Sequence, residues 1–136
     1  MRMLKLRVVS SKREIEELNR NEQMVHLAFR ASNTDIFRLL QNCPRIRAIQ
    51  VPTTYRKTLT RAGEMFLVMQ GIELIEGDVW TQKKDFQEYF NIDDNVLSRI
   101  EQLRLCGLDL NEIAGRVSKE AQLSPELIKY VMKQSS

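Results

Sequence analysis

The sequence is poor in the residues that build metal centres and disulfide frameworks. It has two cysteines, Cys43 and Cys106, one histidine, His26, and no Cys-x-x-Cys pair. A structural zinc site takes about four such ligands, so we expect no bound metal. Both cysteines lie beside apolar residues in helical patterns, which predicts buried thiols in a reducing compartment.

Long apolar runs and catalytic groupings are also missing. No stretch approaches the roughly 20 apolar residues of a membrane-spanning helix, and the first residues, MRMLKLRVVSS, lack the apolar core of a signal peptide. The sequence offers no acid–base pair, nucleophile–base pair or phosphate-binding glycine loop. These absences predict a cytoplasmic protein without membrane contact, cofactor or enzymatic activity.

Negative charge is absent from one long segment. Between Ile36 and Gly63 there are six basic residues and no acid. Residues 1–90 carry 15 basic and 11 acidic groups, whereas residues 91–136 carry 6 and 7. Any attraction for an anion therefore comes from the first part of the chain.

Residues 1–91 alternate strand and helix patterns and form the first predicted domain. Strands are predicted to start near Leu4, Val25, Ile46 and Ile72, with a helical segment after each. Alternation with short links predicts a parallel sheet of four strands, hence an α/β fold. The spacing is similar to the strand–helix units of leucine-rich repeats, and a doubly wound sheet is the alternative.

The first two predicted strands alternate polar with apolar residues. Parallel strands covered on both faces are apolar throughout, so we expect helices mainly on one face of the sheet. The second face is predicted to carry Lys5, Arg7, His26, Arg30 and Arg47. After the fourth strand, a short helix is predicted with Phe86, Tyr89 and Phe90 on its apolar side.

Residues 92–136 have a purely helical pattern and form the second predicted domain, with three amphipathic helices. The run LNEIAGRVSKEAQLSPELIKYVM resembles a helix-turn-helix motif. Small Ala114 occupies the expected helix crossing, and the inward positions are Val117, Leu123, Ile128 and Val131. The segment SKEAQ predicts a turn longer than the three or four residues of the tightest motifs.

The last predicted helix supplies polar side chains for nucleic-acid binding. Lys129, Tyr130, Lys133 and Gln134 are expected on its outward face, where they can contact phosphates and base edges. The net acidic tail opposes affinity for DNA, which comes mostly from neutralised phosphates. The alternative is a three-helix packing module that contacts the sheet or a second subunit.

The basic segment VPTTYRKTLTR is predicted to follow the third strand and to begin a helix that runs through Met69. Ligands favour the carboxyl ends of parallel strands, and a helix N-terminus there exposes unpaired N–H groups. A solvated helix face is the alternative. The predicted phosphate site, centred on the turn Pro52–Arg61, comprises Arg45, Arg47, Thr53, Thr54, Arg56, Lys57 and Arg61.

Three fragments, HLAFRASNTDIF, CPRIRAIQVPTTYRKTL and GIELIEGDVW, carry a resemblance that extends over nearly the whole chain. Together they resemble a small family of archaeal proteins, chiefly from methanogens, without an established activity. The resemblance implies a cytoplasmic archaeal protein and adds no site residue.

These patterns favour a DNA-binding transcriptional regulator whose helical tail enters the major groove. Two tails on one duplex require a homodimer, with half-sites about one helical turn apart. A non-enzymatic protein-interaction adaptor is the second hypothesis. The third is a sensor that binds a phosphorylated small molecule at the turn Pro52–Arg61.

Overall fold

The computed structural model describes residues 4–78, 89–92 and 94–135. In these ranges the strands are β1 (Leu4–Val9), β2 (Met24–Leu27), β3 (Ala48–Val51), β4 (Glu73–Glu76) and β5 (Tyr89–Ile92). A 3₁₀ helix covers Lys12–Glu17. The α-helices are α1 (Asn33–Asn42), α2 (Thr53–Arg56), α3 (Arg61–Met69), α4 (Asp94–Leu105), α5 (Leu110–Ala121) and α6 (Pro125–Ser135).

The strands form one sheet in the order β4-β3-β2-β1-β5. Strands β1 to β4 are parallel and neighbour one another in sequence order, which confirms the predicted parallel sheet. Strand β5 pairs antiparallel with β1, with Tyr89 opposite Arg7. The helix predicted for Tyr89 and Phe90 is therefore wrong, because a short aromatic segment suits either element and the free edge of β1 selects a strand. Phe86 lies outside the described residues.

The helices that connect the parallel strands all cover one face of the sheet. Ile15 of the 3₁₀ helix, Ile36 of α1 and Leu67 of α3 share one apolar cluster with Val25 and Ile49 of the strands. This arrangement is the repeated strand–helix plan rather than the doubly wound alternative. The three described connections between parallel strands all stay on one side, so none of them forms the crevice found where connections change sides.

Helices α4, α5 and α6 cover the second face of the sheet. Leu6, Met24 and Ala48 of the strands share a cluster with Ile113 of α5 and Ile128 of α6. The prediction that helices lie mainly on one face is therefore wrong, because the C-terminal helices cover the other. The chain builds three layers, with the sheet between the crossover helices and the C-terminal helices.

The polar strand residues are divided between the two faces. Arg7 lies opposite Val25 in the ladder, so both side chains point towards the crossover helices. His26, one residue further along β2, points towards α6 instead. Both side chains are buried, His26 at 3% and Arg7 at 6% exposure. The prediction that Arg7 and His26 share one face is therefore wrong, because the observed register pairs Arg7 with Val25 rather than with His26.

The helix predicted from the basic turn through Met69 is broken in two. Helix α2 makes one turn, and α3 starts again after Thr60, whose extended backbone interrupts the helix. The Thr60 hydroxyl accepts a hydrogen bond from the Gly63 N–H at 3.0 Å and so caps α3. Gly71, two residues after the end of α3, has a φ of 75°, a conformation that glycine adopts readily after a helix.

The two cysteines have different environments. Cys43 is buried, and burial raises the pKa of its thiol to about 11. Cys106 is exposed at the end of α4, so the prediction that both thiols are buried is wrong for this residue. Across the described ranges, no helix is both long and apolar enough to span a membrane.

Candidate nucleic-acid interface

Helices α5 and α6 are joined by a short turn. Helix α5 continues through Ala121, and α6 starts at Pro125, which leaves Gln122, Leu123 and Ser124 between them. Gln122 has a left-handed backbone, with a φ of 58°, and its N–H donates to the Ser118 carbonyl. The long turn predicted from SKEAQ is wrong, because these residues extend α5 and the left-handed residue ends it abruptly.

The inward positions predicted for the motif are buried as expected. Ala114 is fully buried at the crossing of the helices, and Val117, Leu123, Ile128 and Val131 are at most 2% exposed. The Ser118 hydroxyl donates to the Leu123 carbonyl at 2.5 Å and fixes the turn from inside. A small residue at the crossing and apolar residues in the corner give a tight helix-turn-helix.

A series of buried side-chain hydrogen bonds connects the start of α6 to the sheet. The Leu127 N–H donates to Ser124 Oγ at 3.1 Å, and Ser124 Oγ donates to Gln50 Oε1 at 3.0 Å. Gln50 Nε2 then donates to His26 Nδ1 at 2.9 Å, so the ring proton belongs on Nε2. Burial lowers the pKa of His26 to about 4. The Gln50–His26 bond requires a neutral imidazole, because Nδ1 must accept the amide hydrogen.

Helix α6 has two buried sides and a narrow exposed one. Leu127, Ile128 and Val131 are fully buried, and Tyr130 and Met132 are only 6% and 4% exposed. The outward position predicted for Tyr130 is wrong, because a helix between a sheet and other helices buries more than one stripe. Burial also raises the pKa of Tyr130. The exposed residues include Glu126, Lys133 and Gln134, with Lys129 partly exposed beside them.

An open groove runs between α6 and strand β4 at the sheet edge. Its volume is about 540 Å³, and its basic lining residues are Arg56, Lys129 and Lys133. The lysines have acidic partners: Lys129 Nζ lies 3.9 Å from Glu126 and Lys133 Nζ lies 3.6 Å from Glu73. Four acids line the same groove, namely Glu73, Glu76, Asp78 and Glu126. The exposed stripe of α6 therefore carries mixed charge.

The residues predicted to bind phosphate do not form one site. Arg45 and Arg47 precede β3, whereas Thr53 and the rest follow it, and the four residues of this strand span roughly 13 Å. Arg56 is bound to Glu64, and Thr53 and Arg56 line the groove beside α6. Thr54, Lys57 and Arg61 are exposed around the break between α2 and α3.

A second open cavity, which the sequence did not predict, lies at the amino-terminal ends of strands β1, β2 and β3. Its volume is about 520 Å³, and Lys5, Arg47, Tyr89 and Gln134 are among its lining residues. The Tyr89 hydroxyl donates to buried Glu22, and Lys5 and Arg7 lie over the Tyr89 ring at 5.3 and 5.6 Å. No local motif marks this group, because β5 alone brings Tyr89 beside β1.

Comparisons with known proteins place the chain in a family. Residues 5–88 match "Family of unknown function (DUF1699) N-terminal domain", and residues 95–133 match "Protein of unknown function (DUF1699) C-terminal HTH domain". No curated protein and no solved structure gave a match. The archaeal origin implied by the sequence resemblance stays a prediction. The second match confirms the helix-turn-helix assignment and is consistent with nucleic-acid binding; the chain belongs to the DUF1699 family.

Proposed function

We propose that this protein is a DNA-binding regulator that contacts duplex DNA through the exposed stripe of α6. The observation that carries the proposal is a tight helix-turn-helix whose second helix presents Lys129 and Lys133. Their ammonium groups suit phosphate contacts, and Gln134 near the end of the helix can bond to a base edge or phosphate. No catalytic step is part of this proposal.

The charge around α6 predicts weak binding that depends strongly on salt. Residues 94–135 contain six acids and six bases, so this part of the chain has no net attraction for DNA. Glu126 and Glu73 each compete with phosphate for one lysine. We therefore expect affinity from a few phosphate contacts, in the micromolar range typical of binding without sequence readout.

The direct test removes the two lysines. We expect Lys129→Ala/Lys133→Ala to lower affinity for a labelled random duplex and to flatten the dependence of log K on log salt by about 2, at about 0.9 for each lost phosphate contact. Fluorescence anisotropy from 25 to 200 mM salt measures both quantities. The matched control is Lys12→Ala/Arg13→Ala on the far side of the sheet, which should leave the salt dependence unchanged.

The competing acids give a second test with the opposite sign. Glu73→Gln/Glu126→Gln removes the carboxylate beside each lysine, so affinity for the same duplex should rise about tenfold, because two charges that repel phosphate are removed. The substitution Glu16→Gln/Glu17→Gln on the 3₁₀ helix changes net charge equally and serves as the control. If both pairs act alike, DNA responds only to net charge, and the assignment of α6 is refuted.

A separate observation favours protein interaction as a second function. Large apolar side chains of α1 and α3 face solvent on the layer opposite to α6, with Met69 77% exposed and Val68 69% exposed. Surfaces of this kind mark contacts with other proteins. Protein interaction here is compatible with DNA binding at α6, since the two surfaces lie on opposite sides of the sheet.

A further inference from the structure

After Arg61, the outward face of α3 is apolar to the end of the helix. Met65 is 54% exposed, Val68 69% and Met69 77%, and Phe37 of the neighbouring α1 is 47% exposed. A helix at the surface normally turns charged residues outward, and one that is apolar on all sides is normally covered. Methionine is common on protein-binding surfaces because its unbranched side chain adapts to the partner. An exposed apolar face of this kind marks a contact surface for another protein.

A small apolar pit lies beside the exposed methionines. The rings of Phe37 and Phe66 meet with centroids 4.4 Å apart, where α1 packs against α3. The pit has a volume of about 90 Å³, and its lining consists of Asn33, Ile36, Phe37, Ala62, Gly63 and Phe66. One surface thus carries both projecting methionines and a cavity that suits an apolar side chain. In a two-fold symmetric dimer, the methionines of one copy can therefore fill the cavity of the other, and the reverse.

Charge selects the direction in which a second α3 would lie. Arg61 is the first residue of α3 and is exposed, and in the described part of the chain it has no ion pair. A cation at a helix N-terminus opposes the helix dipole, and the last turn of α3 has no basic residue to offset its negative end. In an antiparallel pair, each Arg61 lies beside the negative C-terminal end of the partner helix.

We propose that this chain forms a homodimer in which α3 packs antiparallel against α3 of a second copy, with the two-fold axis near Met65. Met69 of each copy then lies near Arg61 of the other, and the methionines reach the pits bounded by Phe37 and Phe66. Nothing in this arrangement requires DNA, so its failure and that of the proposed DNA binding are separate results.

The dimer has a consequence for the arrangement of the α6 helices. Each α6 lies on the side of its sheet away from α3, so the layers run α6, sheet, α3, α3, sheet, α6. With neighbouring layers about 10 Å apart, the two α6 helices are about 50 Å apart. Half-sites one helical turn apart need roughly 34 Å, so this dimer does not serve the adjacent half-sites expected from sequence.

The test measures the mass of the full chain in solution. By sedimentation equilibrium at micromolar to millimolar concentration, the wild-type chain should approach twice the mass of one chain. Met65→Lys places two like charges together at the axis, and its dissociation constant should rise at least a hundredfold. The matched control, Leu105→Lys, replaces a leucine of α4 that is 80% exposed and should dimerise like the wild type.

The orientation has its own test. Met69→Glu places a carboxylate beside Arg61 of the second copy, so the dimer should persist, whereas Arg61→Glu/Met69→Glu should dissociate. Because the substituted side chains are exposed, circular dichroism should report folded chains throughout. A wild-type chain that stays monomeric, or a dimer indifferent to Met65→Lys, would overturn the proposal. Dissociation by Met69→Glu alone would overturn the antiparallel arrangement.

Discussion

Helices α3 and α6 contact the same edge of the sheet from opposite faces. Neither is a simple amphipathic helix: α6 buries more than its apolar stripe, and α3 exposes apolar side chains. Helix α6 buries two sides, including Tyr130, which its sequence pattern places outside. Helix α3 leaves apolar side chains such as Met69 in solvent. The second buried side of α6 is explained within the chain, because the sheet covers it. The apolar outer side of α3 stays exposed in the described part of the chain, and the proposed homodimer would cover it.

The comparison of α3 with α6 depends on close packing of α6 against the sheet. A substitution at Gly77, directly after β4, should disturb this packing most. A Cβ at this position would lie 2.3 Å from Ser124 Cβ and 2.4 Å from Ser124 Oγ, at the start of α6. We expect Gly77→Ala to lower the free energy of unfolding by about 3 kcal/mol, because backbone rather than a flexible side chain must move. Urea denaturation followed by circular dichroism measures this change.

The control for this variant is Gly115→Ala in the middle of α5. No atom lies within 4 Å of a Cβ built on Gly115, so the alanine meets open space. It should raise the free energy of unfolding by about 0.5–1 kcal/mol, as expected for glycine replaced in a helix. Equal effects at the two positions would show that α6 does not approach β4 so closely.

The pH dependence of stability tests the same junction through His26. The pKa of this ring is about 4 in the folded protein and near 6.5 when it is exposed. The unfolded chain therefore binds a proton more readily, so stability is complete above pH 6.5 and falls as the pH drops towards 4. The expected loss at pH 5 is about 2 kcal/mol, of the size that linkage gives for such a shift.

The measurement is a series of urea denaturations between pH 7 and pH 4.5. His26→Asn should lose most of this acid dependence, because asparagine offers an acceptor to Gln50 and does not titrate. The variant also changes the shape of the core, so the comparison concerns the slope with pH rather than absolute stability. An unchanged slope in His26→Asn would mean that the imidazole is not held neutral by the junction.

The sequence predicts the individual strands and helices well, but it predicts poorly which elements pack against each other. Strand and helix periodicity is encoded within each segment, so the sequence alone predicts β1 to β4 and the inward residues of the helix-turn-helix. The register that separates Arg7 from His26, and the docking of α6 on the sheet, depend on residues far apart in sequence. An amphipathic pattern indicates that one side of a helix is buried. It does not indicate whether a second side is buried as well.

A substitution of Tyr130 has the smallest expected effect on DNA affinity. At this residue the exposure predicted from the helical pattern differs most from the burial in the structure. From the sequence it contacts DNA, whereas in the structure its side chain is 6% exposed between α6 and the sheet. If the ring only packs, Tyr130→Phe should change affinity for duplex DNA less than twofold, since the substitution removes only the hydroxyl group. Lys129→Ala, one residue earlier in the same helix, should weaken binding several-fold under the same conditions. A larger loss for Tyr130→Phe, with unchanged thermal stability, would mean that α6 turns this face outward when it meets DNA.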